Sequence, residues 1–256
     1  MIVRVLIVSM MLFLAACSVQ DFPSERKVNV AAGARDRVAL ASEYLQKGEN
    51  ERAQLHLKKA LELDPKSAEA HNLMAILLER ESDPKGAEKH YRKAISLRQD
   101  YSQAHNNYGI FLYKRGEYRS AAVHLEKAAG DIGYQMRASA FEGLGRAALK
   151  LNDKDRAENA FQRALRIEGN LPTVCLELAD LNFEKDNLAG ARAFYLRYLK
   201  LIDTQPQTAR SLWLGIRLER RLGDRNALSS YELALKKLYP DSAEYKAYVA
   251  SLGSGS

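Results

Sequence analysis

The sequence lacks the residue patterns on which most enzymes and metal proteins depend. Its two cysteines, Cys17 and Cys175, are far apart, so there is no C-x-x-C pair for a structural zinc site. It has no H-E-x-x-H, G-x-S-x-G or G-x-G-x-x-G motif and no phosphate-binding loop. The many carboxylates are scattered along helical faces, where solvation is the usual role. The sequence therefore predicts a binding protein with no catalytic site, no cofactor and no metal.

Proline and long apolar runs are also scarce. The chain has six prolines and no long apolar run after residue 16, which favours helix over strand. The net charge of +7 comes from 39 basic and 32 acidic residues of interspersed sign, a pattern typical of a solvated surface. Nucleic-acid binding would need the positive charge on one face and a recognisable module. Neither is found, and no nucleic-acid partner is expected.

The N-terminus carries a targeting pattern. Residues 1–16 have one early charge, Arg4, and then an apolar run from Val5 to Leu14. A membrane-spanning helix needs about 20 apolar residues, so this run fits the core of a secretory signal better.

The end of this signal resembles a bacterial lipobox, because small residues precede Cys17 in the run Leu14-Ala15-Ala16-Cys17. The resemblance implies cleavage before Cys17, its acylation (palmitate included) and a lipid anchor. Ser18 replaces the aspartate of an inner-membrane retention signal, which favours the outer membrane, with the protein facing the periplasm. The alternative is an ordinary signal peptide with an incidental cysteine. With Cys17 acylated, Cys175 has no disulfide partner in the chain and is expected to be a small apolar core residue.

A period of 34 residues organises most of the remaining chain. Leu40, Met74 and Tyr108 are equivalent by this spacing, and small residues recur at Ala53, Ala87 and Ala121. Residues that favour turns recur at position 15 of the period, namely Gly48, Ser82, Gly116, Asn152 and Asp186. In the last period this residue shifts by one, to Gly223. Such a period indicates a stack of units that bury their apolar faces against one another.

These positions resemble the tetratricopeptide repeat (TPR), in which two antiparallel helices cross closely at small residues. The resemblance implies an all-α, right-handed superhelical solenoid with a short C-terminal capping helix, and Arg37 departs from it by replacing an aromatic residue. The predicted organisation is a signal peptide at 1–16, a flexible tether at 17–34, a capping helix at 241–252 and a flexible tail at 253–256. The six predicted repeats cover 34–67, 68–101, 102–137, 138–171, 172–207 and 208–240.

The five histidines also follow the repeat. His71 and His105 occupy position 4, and position 23 holds His56, His90 and His124. Equivalent positions in neighbouring repeats lie two helices apart, and packed helices are separated by about 8–10 Å. A shared zinc ion would need ligands about 2 Å from one point. Repetition of the unit, and not metal binding, is therefore the expected origin of these histidines.

The concave face of a TPR stack is lined by the first helix of each repeat, and this face is the expected partner site. Asn72 and Asn106 occupy the same position in successive repeats, where their amides could grip a peptide backbone. The alternative is that they only satisfy local helix groups. The full predicted site consists of Val38, Asn72, Ile76, Asn106, Ile110 and Tyr113.

Three runs resemble the type IV pilus biogenesis lipoproteins (PilF/PilW) over nearly the whole chain: Asn106–Tyr113, Ala209–Leu218 and Leu238–Pro240. That resemblance implies a pilotin, which delivers the secretin subunit to the outer membrane and promotes its assembly into multimers. Some relatives are instead reported to act in pilus stability. The chain itself is expected to be monomeric. The alternative is a TPR lipoprotein that serves as a scaffold or regulator for outer-membrane barrel assembly or cell-wall enzymes.

The lipid anchor provides the first test. We expect Cys17→Ser to leave the fold intact but to mislocalise the secretin subunit, because the carrier has lost its membrane attachment. Circular dichroism of the variant and fractionation of the secretin check this expectation. Correct secretin placement without the lipid would argue against delivery.

Overall fold

The computed structural model describes residues 30–253, which form an all-α TPR solenoid, as predicted. Each repeat contributes two antiparallel helices. The first helices are α1 (Val30–Gln46), α3 (Ala68–Arg80), α5 (Ser102–Lys114), α7 (Arg137–Lys150), α9 (Pro172–Glu184) and α11 (Ala209–Leu222). The second helices are α2 (Asn50–Leu63), α4 (Pro84–Leu97), α6 (Tyr118–Gly130), α8 (Lys154–Ile167), α10 (Leu188–Ile202) and α12 (Arg225–Leu238). A last helix, α13 (Ala243–Gly253), follows them.

The two helices of a repeat approach closely because small residues lie where they cross. In the first repeat Ala41, Ala53 and Ala60 are all fully buried. At Gly145 of α7, a Cβ atom would lie only 2.5 Å from the Phe161 ring of α8. Larger residues at these positions would force the helices apart and open voids in a close-packed interior.

Each turn between the two helices of a repeat contains one residue in the left-handed region. Their φ angles are +77° at Gly48, +61° at Ser82 and +80° at Gly116. The later repeats place Asn152 at +60°, Asp186 at +60° and Gly223 at +86°. The sequence therefore predicted all six turns, including the one-residue shift in the last repeat.

The hydrophobic core is continuous between neighbours along the stack. One cluster extends from Ala75 and Tyr91 of the second repeat through Leu125 of the third repeat to Phe141 of the fourth. Cys175 is unpaired, fully buried and part of the next cluster, as predicted for a small apolar core residue. No helix within residues 30–253 is both long and apolar enough to cross a bilayer.

Both ends of the folded part differ slightly from the sequence prediction. Residues 30–34, the last of the predicted tether, belong to α1, where Ala34 is buried and Gly33 lies beside Leu63 of α2. Alanines at 31, 32 and 34 favour helix, and this packing extends it. At the other end α13 spans Ala243–Gly253 instead of the predicted 241–252, because the Ser242 hydroxyl caps it by accepting from the Tyr245 amide. Tyr245 and Tyr248 cover the last core cluster. Cys17, the signal peptide and residues 254–256 lie outside the described residues.

The left-handed turns generate a stability prediction. Gly116→Ala should lower the free energy of unfolding by about 1–2 kcal/mol, because an L-residue resists a positive φ even where space is open. Gly130→Ala is the matched control, since its Cβ also meets nothing within 4 Å and its φ is not positive. Urea titration of both variants checks this, and equal effects would contradict the backbone explanation.

Candidate functional site

The first helices of successive repeats contact one another, so their exposed sides form one continuous concave face. Three depressions follow this face from one end to the other. The N-terminal groove, of about 310 Å³, is lined by Val38, Ala39, Ser42, Glu69, Leu73 and Tyr101 among others. The central groove, of about 190 Å³, is lined by Ile110, Tyr113, Ser139, Glu142, Gly143 and Arg146 with Leu125. The basic groove, of about 550 Å³, is lined by Tyr113, Arg146, Leu149, Lys150, Glu177 and Arg210 with Thr173.

The structure divides the predicted site residues between these depressions. Val38 lies in the N-terminal groove, whereas Ile110 and Tyr113 line the central groove. Ile76 is half-buried and packs against the core instead of lining a depression. These four predicted residues therefore do not form one pocket.

The expectation that Asn72 and Asn106 face the groove is wrong. Asn72 is 0% exposed and Asn106 is 5% exposed. Asn107 donates to the Asn72 Oδ1 at 3.2 Å, which ties the second repeat to the third. Asn72 Nδ2 and Asn106 Oδ1 have no hydrogen-bond partner. Asn72 therefore belongs to the contact between repeats, a role that neither alternative anticipated.

The N-terminal groove has more apolar surface than the other two depressions. Val38 and Leu73 pack against the core below it, and the exposed Ala39 lies on its wall. At its edge the Arg98 guanidinium pairs with Glu69 at 2.6 Å and lies 3.6 Å from the Tyr101 ring centre. The sequence analysis missed Leu73 and Tyr101 because their positions are not among those usually assigned to the concave face.

The basic groove is built from ion pairs between repeats. Arg210 of α11 donates two hydrogen bonds of 2.7 Å to the Glu177 carboxylate of α9. Asp180 accepts from Arg210 at 3.1 Å and from Arg217 at 2.7 Å. On α7, Arg146 pairs with Glu142 at 2.8 Å. The sequence analysis did not select these residues, since the acidic partners of Arg210 and Arg217 lie 30 to 37 residues away and leave no local signal.

The histidines meet in pairs within a repeat, an arrangement that the comparison of neighbouring repeats overlooked. The Nδ1 atoms of His71 and His90 are 2.9 Å apart, and those of His105 and His124 are also 2.9 Å apart. In the first repeat Arg37 takes the place of the position-4 histidine, 3.3 Å from His56. The constant spacing of 19 residues between positions 4 and 23 is the signal that could have revealed these pairs.

Backbone contacts determine the tautomers of these pairs. His71 Nε2 lies 3.1 Å from the Pro65 carbonyl, so it must carry a proton and donate. His71 Nδ1 is then an acceptor, and His90 Nδ1 must donate to it. His105 Nε2 lies 3.0 Å from the Gln99 carbonyl and must likewise donate to it. His105 Nδ1 is then the acceptor, and His124 Nδ1 donates to it. Each pair is complete as two neutral rings, because a proton on both Nδ1 atoms would place two donors head to head.

Burial keeps these rings neutral. Desolvation, followed by the neighbouring His71, lowers the pKa of His90 to about 4. Desolvation and then His105 lower the pKa of His124 to about 4. Burial also lowers the pKa values of His71 and His105. In the part of the chain that the structure describes, no three His, Cys, Asp or Glu residues are grouped so as to hold a metal ion.

Comparison with known proteins agrees with this geometry. Residues 41–81 match a family model described as TPR repeat, and residues 73–134, 112–172 and 142–207 match one described as tetratricopeptide repeat. The chain is 40% identical over 218 residues to the type IV pilus assembly protein PilF of Pseudomonas aeruginosa, covering 85% of each chain.

Solved structures give the same relationship. The structure of Pseudomonas aeruginosa PilF matches with a TM-score of 0.80 at 38% identity, over 87% of this chain and 99% of that one. PilW, described as a widely conserved type IV pilus biogenesis factor, matches with a TM-score of 0.69 at 25% identity, over 84% and 98% of the two chains.

The fold and these matches together define a TPR protein with a concave interaction face. Its resemblance to the PilF/PilW proteins is confirmed over most of the chain, and the chain belongs to the PilF family of type IV pilus assembly proteins. TPR proteins of this kind mediate protein–protein interaction in pilus biogenesis.

The histidine pairs generate a pH prediction. Because their folded pKa values lie below the usual 6.5, the unfolded chain binds more protons below about pH 7, and stability falls toward pH 4. We halve the pKa shifts to allow for solvent screening. The pairs should then account for a fall of about 2 kcal/mol in the free energy of unfolding between pH 7 and pH 5. Urea titrations of the wild type and of the His90→Gln/His124→Gln variant measure this. An identical pH dependence in both chains would contradict the assignment.

Proposed function

We propose that this chain is a lipid-anchored outer-membrane protein, facing the periplasm, that acts as a pilotin. It binds the type IV pilus secretin subunit through its concave face and promotes the localisation and multimer assembly of that subunit. Pilus biogenesis and twitching motility depend on this step. The observation that carries the proposal is the 40% identity to a type IV pilus assembly protein over 85% of the chain.

The N-terminal groove supplies the surface for the secretin segment in this proposal. Val38, Ala39 and Leu73 offer apolar contact, and Glu69 with Arg98 provides polar groups at its edge. Burial of apolar surface supplies most of the affinity of such a site, and the polar edge selects the register. An amphipathic segment fits this chemistry.

The anchor and the groove act together. Twelve residues, 18–29, separate Cys17 from the start of α1, and they can span at most about 40 Å. Acylation of Cys17 would keep the first repeat within that distance of the bilayer. A bound secretin subunit is then confined to a thin layer at the membrane, which raises its effective concentration for assembly.

A charge in the N-terminal groove tests the surface. Ala39→Glu should weaken secretin binding at least about tenfold, since the complex would have to desolvate a carboxylate where the groove now offers apolar surface. Ala193→Glu on the exposed side of α10 is the matched control. Each variant is expressed in a strain that lacks the gene, and heat-resistant secretin multimers in outer membranes are measured by immunoblot. We expect few multimers with Ala39→Glu and normal multimers with Ala193→Glu.

Two outcomes would contradict the proposal at different levels. Normal multimers with a folded Ala39→Glu chain would show that the secretin binds elsewhere. Normal multimers and normal twitching in the strain without any copy of the gene would refute the pilotin role itself. That second result would favour a scaffold or regulator for barrel assembly or cell-wall enzymes.

A further inference from the structure

The basic groove of the later repeats differs in charge from the N-terminal groove. Its depression of about 550 Å³ lies between first helices of the fourth, fifth and sixth repeats. Arg146 and Lys150 of α7 and Arg210 of α11 line it, and Glu177 is the one acidic residue in its wall. Tyr113 and Leu149 add apolar surface.

The acidic partners of these arginines lie deeper than the arginines themselves. The Glu177 side chain is 11% exposed, whereas that of Arg210 above it is 44% exposed. Glu142 is 23% exposed and its partner Arg146 is 40% exposed. Asp180, 21% exposed, supports both Arg210 and Arg217 from below. The face that meets solvent is therefore positive, although most of the cations are paired.

The cations also retain hydrogen-bonding capacity. Lys150 is exposed at the end of α7, and no acidic side chain among residues 30–253 pairs with it. Arg146 and Lys150 are four residues apart on one helix, so they point to the same side. A ligand carboxylate would pair with the exposed Lys150 ammonium, which has no acidic partner in the described part of the fold.

We propose that the basic groove binds an acidic segment of a partner protein, separately from the N-terminal groove. The buried carboxylates hold the guanidinium groups in place, so little side-chain freedom is lost when a ligand carboxylate arrives. Guanidinium groups match carboxylates in geometry, and Lys150 adds a free positive charge. Cations on both α7 and α11 call for an extended ligand with several charges, whose apolar stems contact Tyr113 and Leu149.

This inference does not rest on the pilotin proposal. It involves other repeats and other residues, and its partner is an acidic segment instead of an amphipathic one. It requires neither the lipid nor the secretin. Either proposal can fail while the other stands.

A labelled peptide tests the inference on the full-length chain in detergent. A short fluorescein-labelled peptide of alternating glutamate and serine should bind, as fluorescence anisotropy reports, and its lysine and serine counterpart should not. Affinity should fall as salt rises, because the contacts are between charges. Lys150→Glu should weaken binding about tenfold. Lys59 is an exposed and unpaired lysine on the outer helix α2. The Lys59→Glu variant should bind the peptide as the wild type does.

Three other outcomes would contradict binding of an acidic segment in the basic groove. Equal loss in Lys150→Glu and Lys59→Glu would show that net charge alone attracts the peptide. Unchanged affinity in a folded Lys150→Glu chain would exclude this groove. Displacement of the peptide by millimolar inorganic phosphate would reveal a site for small anions instead. If Lys150→Glu does not fold by circular dichroism, Arg146→Gln replaces it, since that change breaks only a half-exposed pair within α7.

Discussion

Every repeat depends on the close approach of its two helices at small residues. Gly145 lies so near the Phe161 ring that a single added carbon would clash, and the fully buried Ala41 and Ala53 play the same part in the first repeat. This approach brings the first helices side by side, since each repeat presents the same face to the next. The concave face, with all three depressions, is a consequence of that contact.

The repetition of the backbone does not extend to the chemistry of the face. In the first repeats, Val38 and Leu73 make an apolar groove, whereas Arg146, Lys150 and Arg210 give the later repeats positive charge. Side chains on the concave face are free to vary because the helix crossings, which hold the stack together, lie elsewhere. One solenoid can therefore carry two surfaces suited to different partners.

The histidine pairs show how a repeat can copy an internal contact as well as a fold. His71 with His90 and His105 with His124 join the two helices of a repeat, each as a donor and an acceptor that exclude an extra proton. Burial lowers the pKa values of His90 and His124 and keeps the paired rings neutral. In this structure they link the two helices of a repeat, and other residues form the concave face.

The sequence alone determined the helices, the turns and the register of the repeats, because these depend on local, periodic features such as Ala53 and the left-handed Gly116. It also placed Val38, Ile110 and Tyr113 on the face that carries the depressions. Only the tertiary structure decided what each position of that face touches. Asn72 is buried by Asn107, 35 residues away, and Glu177 lies beneath Arg210, 33 residues away. Such contacts depend on how neighbouring repeats pack, and a periodic pattern holds no information on which side chain covers which.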